Sequence, residues 1–273
     1  MLRDAIYGFA VGDALGVPFE FKKRGTFRCT GMVGNGAWNQ PSGTWSDDTS
    51  MLLATLDSIK ECGKIDIKDM RARFIDWASK GKYTANGDTF DIGYTTFEAL
   101  RAGKGINDIN ANGNGALMRI LPIAFIAHNI NDIHEVSAIT HAHSISKIAC
   151  EIYIDIAAAL VQGDSIKQAI KDALLYYDTP EFERLYSIWT LPEEEIKSSG
   201  YVVDTLEAAL WCLCNTDNYT DAVLKAVNLG SDTDTVAAIT GGLAGIIYGY
   251  DSIPKIWIEK LKNKKLIDLI LNK

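Results

Sequence analysis

Asp66-Ile67-Lys68-Asp69-Met70-Arg71-Ala72-Arg73-Phe74-Ile75-Asp76-Trp77-Ala78-Ser79-Lys80-Gly81 sets the reading of the chain. Ile67, Met70, Phe74 and Trp77 step by three, four and three, which paints one face of a helix. Asp66 stands where a cap accepts from the first free N–H groups, and Gly81 stands where the helix stops. Ile166, Ala169, Ile170, Ala173 and Leu174 repeat the pattern behind Ser165. A shorter stripe, Val223, Leu224 and Val227, is closed by Asn228 and Gly230. Strict alternation is scarce, and no Asn-Gly is flanked by strand-like sequence. The reading is all-α, with roughly a dozen helices of ordinary length.

A length of 273 residues allows one large domain or two small ones. Its six prolines mark no linker, so residues 1–273 read as a single compact multi-helix domain. The 47% hydrophobic and 23% charged residues exclude wholesale disorder. A net charge of −8 argues against nucleic acid, which is held by a basic footprint. The longest near-apolar run, Val236 to Gly249, is too short and glycine-rich to span a membrane. No secretory signal pattern opens the chain. Five cysteines with no CxxC give no disulfide framework, so the expected location is the cytoplasm. The lysines between Lys260 and Lys273 read as the solvated face of a helix.

Three segments escape the helical period: Gly16 to Trp45, Gly81 to Gly93 and Gly103 to Gly115. Loops this long inside a compact domain are uncommon unless they serve a function or are disordered. With few charges and many turn residues, these read as ordered and functional.

The densest chemistry is Trp45-Ser46-Asp47-Asp48-Thr49, followed at once by the apolar Met51 to Leu56. Its echo is Gly230-Ser231-Asp232-Thr233-Asp234-Thr235, followed by Val236 to Ile239. One explanation is N-capping, since Ser, Thr and Asp accept from the free N–H groups of a helix start. The other is metal binding. Brought together without a counter-charge, these four carboxylates would repel and be costly to bury. Hard cations such as Mg²⁺ or Mn²⁺ solve that problem, and the absence of His and Cys from both clusters disfavours zinc. Two ions would use the four carboxylates and the hydroxyls economically. Asp232-Thr233-Asp234-Thr235-Val236 also matches an aspartyl-phosphate phosphatase string, but only 38 residues follow Thr235 and it opens a helix. The DDxxD of terpenoid synthases fails at Thr49, Ser50 and Met51.

In order along the chain, several blocks resemble the ADP-ribosylglycohydrolases. They are Gly12-Asp13-Ala14-Leu15-Gly16 through Glu20, Trp45 to Met51, Phe90-Asp91-Ile92-Gly93, and Gly113-Asn114-Gly115-Ala116-Leu117-Met118-Arg119. Thr140-His141, Gly200-Tyr201 to Leu206, and Gly230 to Thr235 complete the series. The bacterial branch typified by the dinitrogenase reductase-activating enzyme is the most similar. The resemblance implies an all-α fold around a binuclear Mg²⁺ or Mn²⁺ centre at helix N-termini. It implies Ser46, Asp47, Asp48, Asp232, Asp234 and Thr235 as metal ligands. Ser46 replaces the threonine common in the family and keeps its hydroxyl. Glu20, Asp47 and Asp91 take the catalytic positions. The substrate-binding positions are Gly93, Gly113, Asn114, Gly115, Ala116, Met118, His141 and Tyr201, with Asn114 and its neighbours at the diphosphate and Tyr201 at the adenine.

The implied reaction is hydrolysis of an ADP-ribosylated protein, most simply at arginine, releasing ADP-ribose. Carboxylates suit the oxocarbenium-like transition state of glycoside cleavage and the cationic guanidinium leaving group. Tyr94 is bulkier than the small polar residue expected beside a guanidinium pocket. The competing reading is a catalytically inactive ADP-ribose binder or structural protein on the same fold, which would be expected to lose some of the four metal carboxylates. Other polar residues have structural readings. His143 reads as structural, Arg119 as a phosphate contact or salt-bridge partner, and Gly241, Gly242 and Gly245 as sites of close helix packing. Tyr176, Tyr177, Phe182, Tyr186 and Trp189 read as packing residues.

Overall fold

The computed structural model describes residues 1–177 and 179–273. Twelve α-helices occur among the described residues. They are α1 (Leu2–Gly16), α2 (Asp47–Cys62), α3 (Ile67–Lys80), α4 (Tyr94–Ala102), α5 (Ile130–Ser137) and α6 (Ser144–Gln162). The rest are α7 (Ile166–Leu174), α8 (Val202–Cys214), α9 (Tyr219–Asn228), α10 (Thr233–Tyr248), α11 (Lys255–Lys260) and α12 (Lys264–Leu271). Extended pairing among the described residues is confined to isolated bridges, including Ile106 with His141 and Gly113 with Tyr201. No described helix is long and apolar enough to cross a membrane. All five cysteines are free.

Local signals act where the sequence places them. Asp66 accepts from the N–H groups of Lys68 and Asp69 at 3.1 Å, and α3 buries Met70, Phe74 and Trp77. Gly81 ends that helix in the left-handed conformation. Ser165 caps α7 through Gln168. The C-terminal stretch differs from the expected single helix. It breaks at residues 261–263, where Asn263 turns left-handed and the Lys262 N–H donates to the Gly43 carbonyl at 2.9 Å. Docking of the Gly43 loop therefore interrupts the helix.

At the centre lie α1 and α10, antiparallel and buried over most of their lengths. Gly8, Gly12 and Gly16 recur every four residues and form one edge of α1. A Cβ on Gly8 would meet the Gly241 carbonyl at 2.3 Å, one on Gly12 the Ala237 carbonyl at 2.1 Å, and one on Gly16 the Asp234 Cα at 2.3 Å. From the other side, a Cβ on Gly245 would meet the Asp4 carbonyl at 2.2 Å. Gly242 instead faces Leu121 and Phe9. All three glycines of α10 thus have the packing role expected of them. The backbones approach so closely that Thr233 Oγ1 donates to the Gly16 carbonyl at 2.8 Å, which anchors the start of α10 to the end of α1. Helices α2, α6, α8 and α9 surround this pair.

Substitution Gly12→Ala forces the two backbones apart, because its Cβ meets main chain that has no rotamer to yield. Overpacking of this kind costs about 1–3 kcal/mol. The expected result is a clear fall in melting temperature together with loss of activity, read by calorimetry and turnover on the same preparation.

Candidate active site

From the middle of α1, Asp13 reaches across to the start of α2. Its carboxylate accepts from the Ser46 N–H at 2.9 Å, the Thr49 N–H at 3.0 Å and Thr49 Oγ1 at 2.6 Å. Ser46 Oγ accepts from the Asp48 N–H at 3.2 Å. The capping explanation therefore holds for α2, but Asp13 and Ser46 satisfy it, leaving the Asp47 and Asp48 carboxylates free. At α10 the cap position falls to Asp232, whose side chain makes no cap hydrogen bond. It accepts instead from Asn114 Nδ2 at 2.8 Å. Capping accounts for only part of this second cluster, since Asp234 Oδ1 accepts from the Thr235 N–H at 3.0 Å while Asp232 caps nothing.

Two groups of carboxylates result. One oxygen each from Asp13, Asp48 and Asp234 lie within 4.8 Å of one another, and so do oxygens of Glu20, Asp232 and Asp234. Asp234 belongs to both groups. Thr235 Oγ1 donates to Asp48 Oδ1 at 3.3 Å, while Asp48 Oδ2 is buried with no hydrogen-bond partner. A buried carboxylate oxygen without a partner is costly, and a hard cation supplies what it lacks. The donor set is all oxygen and the residues fit metal ions.

A cavity of about 240 Å³ opens over these groups. Glu20, Asp47, Asp91, Gly93, Tyr94, Gly113, Asn114, Gly115, Met118, His141, Asp232 and Thr235 all line it, and among the described residues no lysine or arginine does. Ser46, Asp48 and Asp234 lie buried beneath. Asp47 faces the cavity without joining either group of three oxygens. Ala116 is fully buried and does not line the cavity. Tyr201 is half-exposed and lines a separate groove with Arg184, Lys197 and Glu207, although its backbone pairs with Gly113. The Asn114 N–H is already donated to the Gly200 carbonyl at 3.0 Å, so this residue orients Asp232 through its side chain and has no free N–H for a phosphate.

Other polar residues near the site take structural places. Asp13 stands in one of the blocks that carry the resemblance but receives no role from the sequence, because inside a helix neither capping nor a cluster of polar neighbours marks it. Arg119 pairs with no carboxylate. It is fully buried and donates to the carbonyls of Gly115 at 2.7 Å and Val136 at 3.3 Å and to Thr140 Oγ1 at 2.7 Å. His143 is structural, as its ring accepts from the Ile145 N–H at the start of α6. Trp38 could not be assigned from sequence, and its indole N–H donates to Glu20 Oε2. Its ring contacts Phe90 at 5.6 Å, next to Asp91, and Phe21 at 6.0 Å, next to Glu20.

Burial, reinforced by the neighbouring Asp91 charge, pushes the Glu20 carboxyl up to about 9. Burial and Asp232 push Asp91 up to about 7. Burial raises Asp13 to about 6 against its own hydrogen bonds from Thr49 and Ser46. Asp47, Asp48 and Asp234 also rise, by burial first and then by repulsion from neighbouring carboxylates. The cavity stores negative charge that wants protons or cations.

The family model of the ADP-ribosylglycohydrolases matches residues 2–272. The chain is 37% identical to the ADP-ribosylarginine hydrolase Tri1 of Serratia proteamaculans (strain 568), covering 97% of this chain and 76% of that protein. It is 32% identical to the ADP-ribosyl-[dinitrogen reductase] glycohydrolase of Rhodospirillum rubrum, covering 95% of this chain and 90% of the relative. A solved structure described as an ADP-ribosylglycohydrolase-related protein complex superposes with a TM-score of 0.85 at 30% identity, over 98% of this chain and 95% of that one. The chain belongs to the ADP-ribosylglycohydrolase family and is a hydrolase that removes ADP-ribose. The expected enzyme, not the inactive binder, is the outcome.

Carboxyls raised in the folded state stabilise it fully below their unfolded values near 4, and that contribution is lost as pH rises through about 6, 7 and 9. Metal-stripped protein should therefore gain melting temperature as pH falls from about 8 to about 5.5. Added divalent metal should raise the melting temperature more at the higher pH, where protons compete least for the carboxylates.

Proposed function

We propose that this chain cleaves ADP-ribosyl-arginine on modified proteins, in the cytoplasm, with two divalent cations, Mg²⁺ or Mn²⁺. The observation that carries this reading is a cavity lined by carboxylates and, among the described residues, by no lysine or arginine, with Asp91 beside the oxygen group that Glu20 forms with Asp232 and Asp234. The naming of a relative as an ADP-ribosylarginine hydrolase supports it. Five free cysteines suit a reducing compartment.

Ser46, Asp47, Asp48, Asp232, Asp234 and Thr235 are the residues proposed to hold the ions. Bound there, the metals would supply Lewis-acid polarisation and a lowered pKa for water. The protein's own groups do the rest. Asp91 can pair with the guanidinium by charge-assisted hydrogen bonds. Glu20, oriented by the Trp38 indole N–H, lines the cavity where its carboxyl can exchange a proton with the reacting groups. Tyr94, the bulky residue beside the expected guanidinium position, is 79% exposed and lines the cavity. A serine leaving group is neutral and gains nothing comparable from the second carboxylate.

Purified protein incubated with ADP-ribosyl-arginine and ADP-ribosyl-serine, with free ADP-ribose detected by mass spectrometry, should favour the arginine linkage. Faster serine cleavage would overturn the assignment. Asp91→Ala should lower arginine turnover by about 100-fold or more.

Metal dependence is tested separately. EDTA should abolish turnover reversibly, and Asp234→Asn should abolish it while circular dichroism stays helical. Undiminished activity after EDTA would rule out the binuclear reading.

A further inference from the structure

The glycines around Asn114 make room for an imidazole. A Cβ on Gly115 would stand 2.8 Å from His141 Cε1, and one on Gly113 would stand 3.6 Å from His141 Nε2. The Nε2 edge of the ring thus faces the loop that lines the cavity. On the opposite edge, Nδ1 lies 2.8 Å from Thr140 Oγ1. That same hydroxyl lies 2.7 Å from Arg119 Nη2. A guanidinium can only donate, so toward Arg119 the hydroxyl must accept. Its single proton then has one acceptor within hydrogen-bond reach among the described residues, His141 Nδ1.

We infer that Arg119 and Thr140 are positioning residues that hold His141 as the Nε2–H tautomer, a neutral hydrogen-bond donor aimed into the cavity at an acceptor oxygen of ADP-ribose. The arrangement explains why a fully buried arginine has no carboxylate partner. One guanidinium grips the glycine loop through the Gly115 carbonyl at 2.7 Å and sets the histidine through Thr140. It rests against the Phe74 ring at 4.7 Å. Burial and the Arg119 charge push the imidazole down to about 3, so the ring stays neutral. A neutral donor has a purpose here. The ligand's diphosphate is anionic, and among the described residues no lysine or arginine lines the cavity to meet it.

The inference depends on ADP-ribose as ligand, and not on the linkage cleaved or on the number of metals. Long-range ¹H–¹⁵N spectra of the full-length ¹⁵N-labelled protein resolve imidazole tautomers, and the chain has only four histidines. A His141→Gln sample identifies the relevant signals. The expected wild-type signature is a protonated Nε2 and a bare Nδ1. Thr140→Val should mix the tautomers and weaken ADP-ribose binding about tenfold, the scale of one lost hydrogen bond, while Thr140→Ser keeps both properties. A protonated Nδ1 in the wild type overturns the inference. So does a folded Thr140→Val protein that binds ADP-ribose as the wild type does. If Thr140→Val does not fold, the wild-type spectrum alone decides.

Discussion

Everything at the site depends on how closely two helices can approach. Ordinary side chains keep helix axes 8–10 Å apart, a spacing at which the α1 backbone could not touch α10. Glycine at residues 8, 12, 16, 241 and 245 removes that spacer. The contact carries Thr233 onto the Gly16 carbonyl and fixes the first turn of α10, with Asp234, beside the end of α1. Asp13 leaves α1 one turn earlier and reaches the N-terminus of α2. One seam therefore sets the positions of two helix starts that lie nearly 190 residues apart in sequence.

Much of this was legible in the residues themselves. The stripe of Met70, Phe74 and Trp77, the Asp66 cap and the Gly81 stop translate directly into α3, because each acts within a turn of its own position. The two polar clusters translate into two adjoining helix starts. What could not be read is how buried polar groups divide their work across the chain. Ser46 is proposed as a ligand and also serves as the cap, and only the Asp48 N–H at 3.2 Å picks it out from its polar neighbours for that second role. Asn114 is seen in sequence as a small polar residue among glycines. In three dimensions its amide spans Asp232 and Thr205, at 2.8 and 3.0 Å. Ala116 and Tyr201 stand next to the site along the chain and away from its cavity in space, since a 3₁₀ turn at Leu117–Arg119 draws Ala116 into the core.

Electrostatics resolves the apparent conflict between an acidic chain and an anionic ligand. The carboxylates that line the cavity come from the starts of α2 and α10, from Glu20 after α1 and from Asp91 before α4. The rest of the lining includes glycines, Asn114, Met118 and a neutral histidine. Binding can thus be divided between groups, with cations meeting the carboxylates and uncharged donors meeting the ligand. Net charge describes neither set.

Three of the seven described non-glycine residues with positive φ belong to or adjoin the site's carboxylates. Among non-glycine residues with positive φ, Phe21 (64°) follows Glu20, Ser231 (64°) precedes Asp232, and Asp91 (61°) is itself a cavity carboxylate. Such conformations cost on the order of 1 kcal/mol each and persist only where surrounding structure over-determines them. Here that structure is visible. The Ser231 N–H donates to the Lys22 carbonyl at 2.8 Å, and the Phe21 N–H donates to the Ser231 carbonyl at 2.7 Å, so two strained turns lock each other. The reciprocal pair ties Glu20 to Asp232 through main chain alone. Glu20 and Asp232, whose charges repel, are thus held near each other by main-chain hydrogen bonds that do not involve those charges.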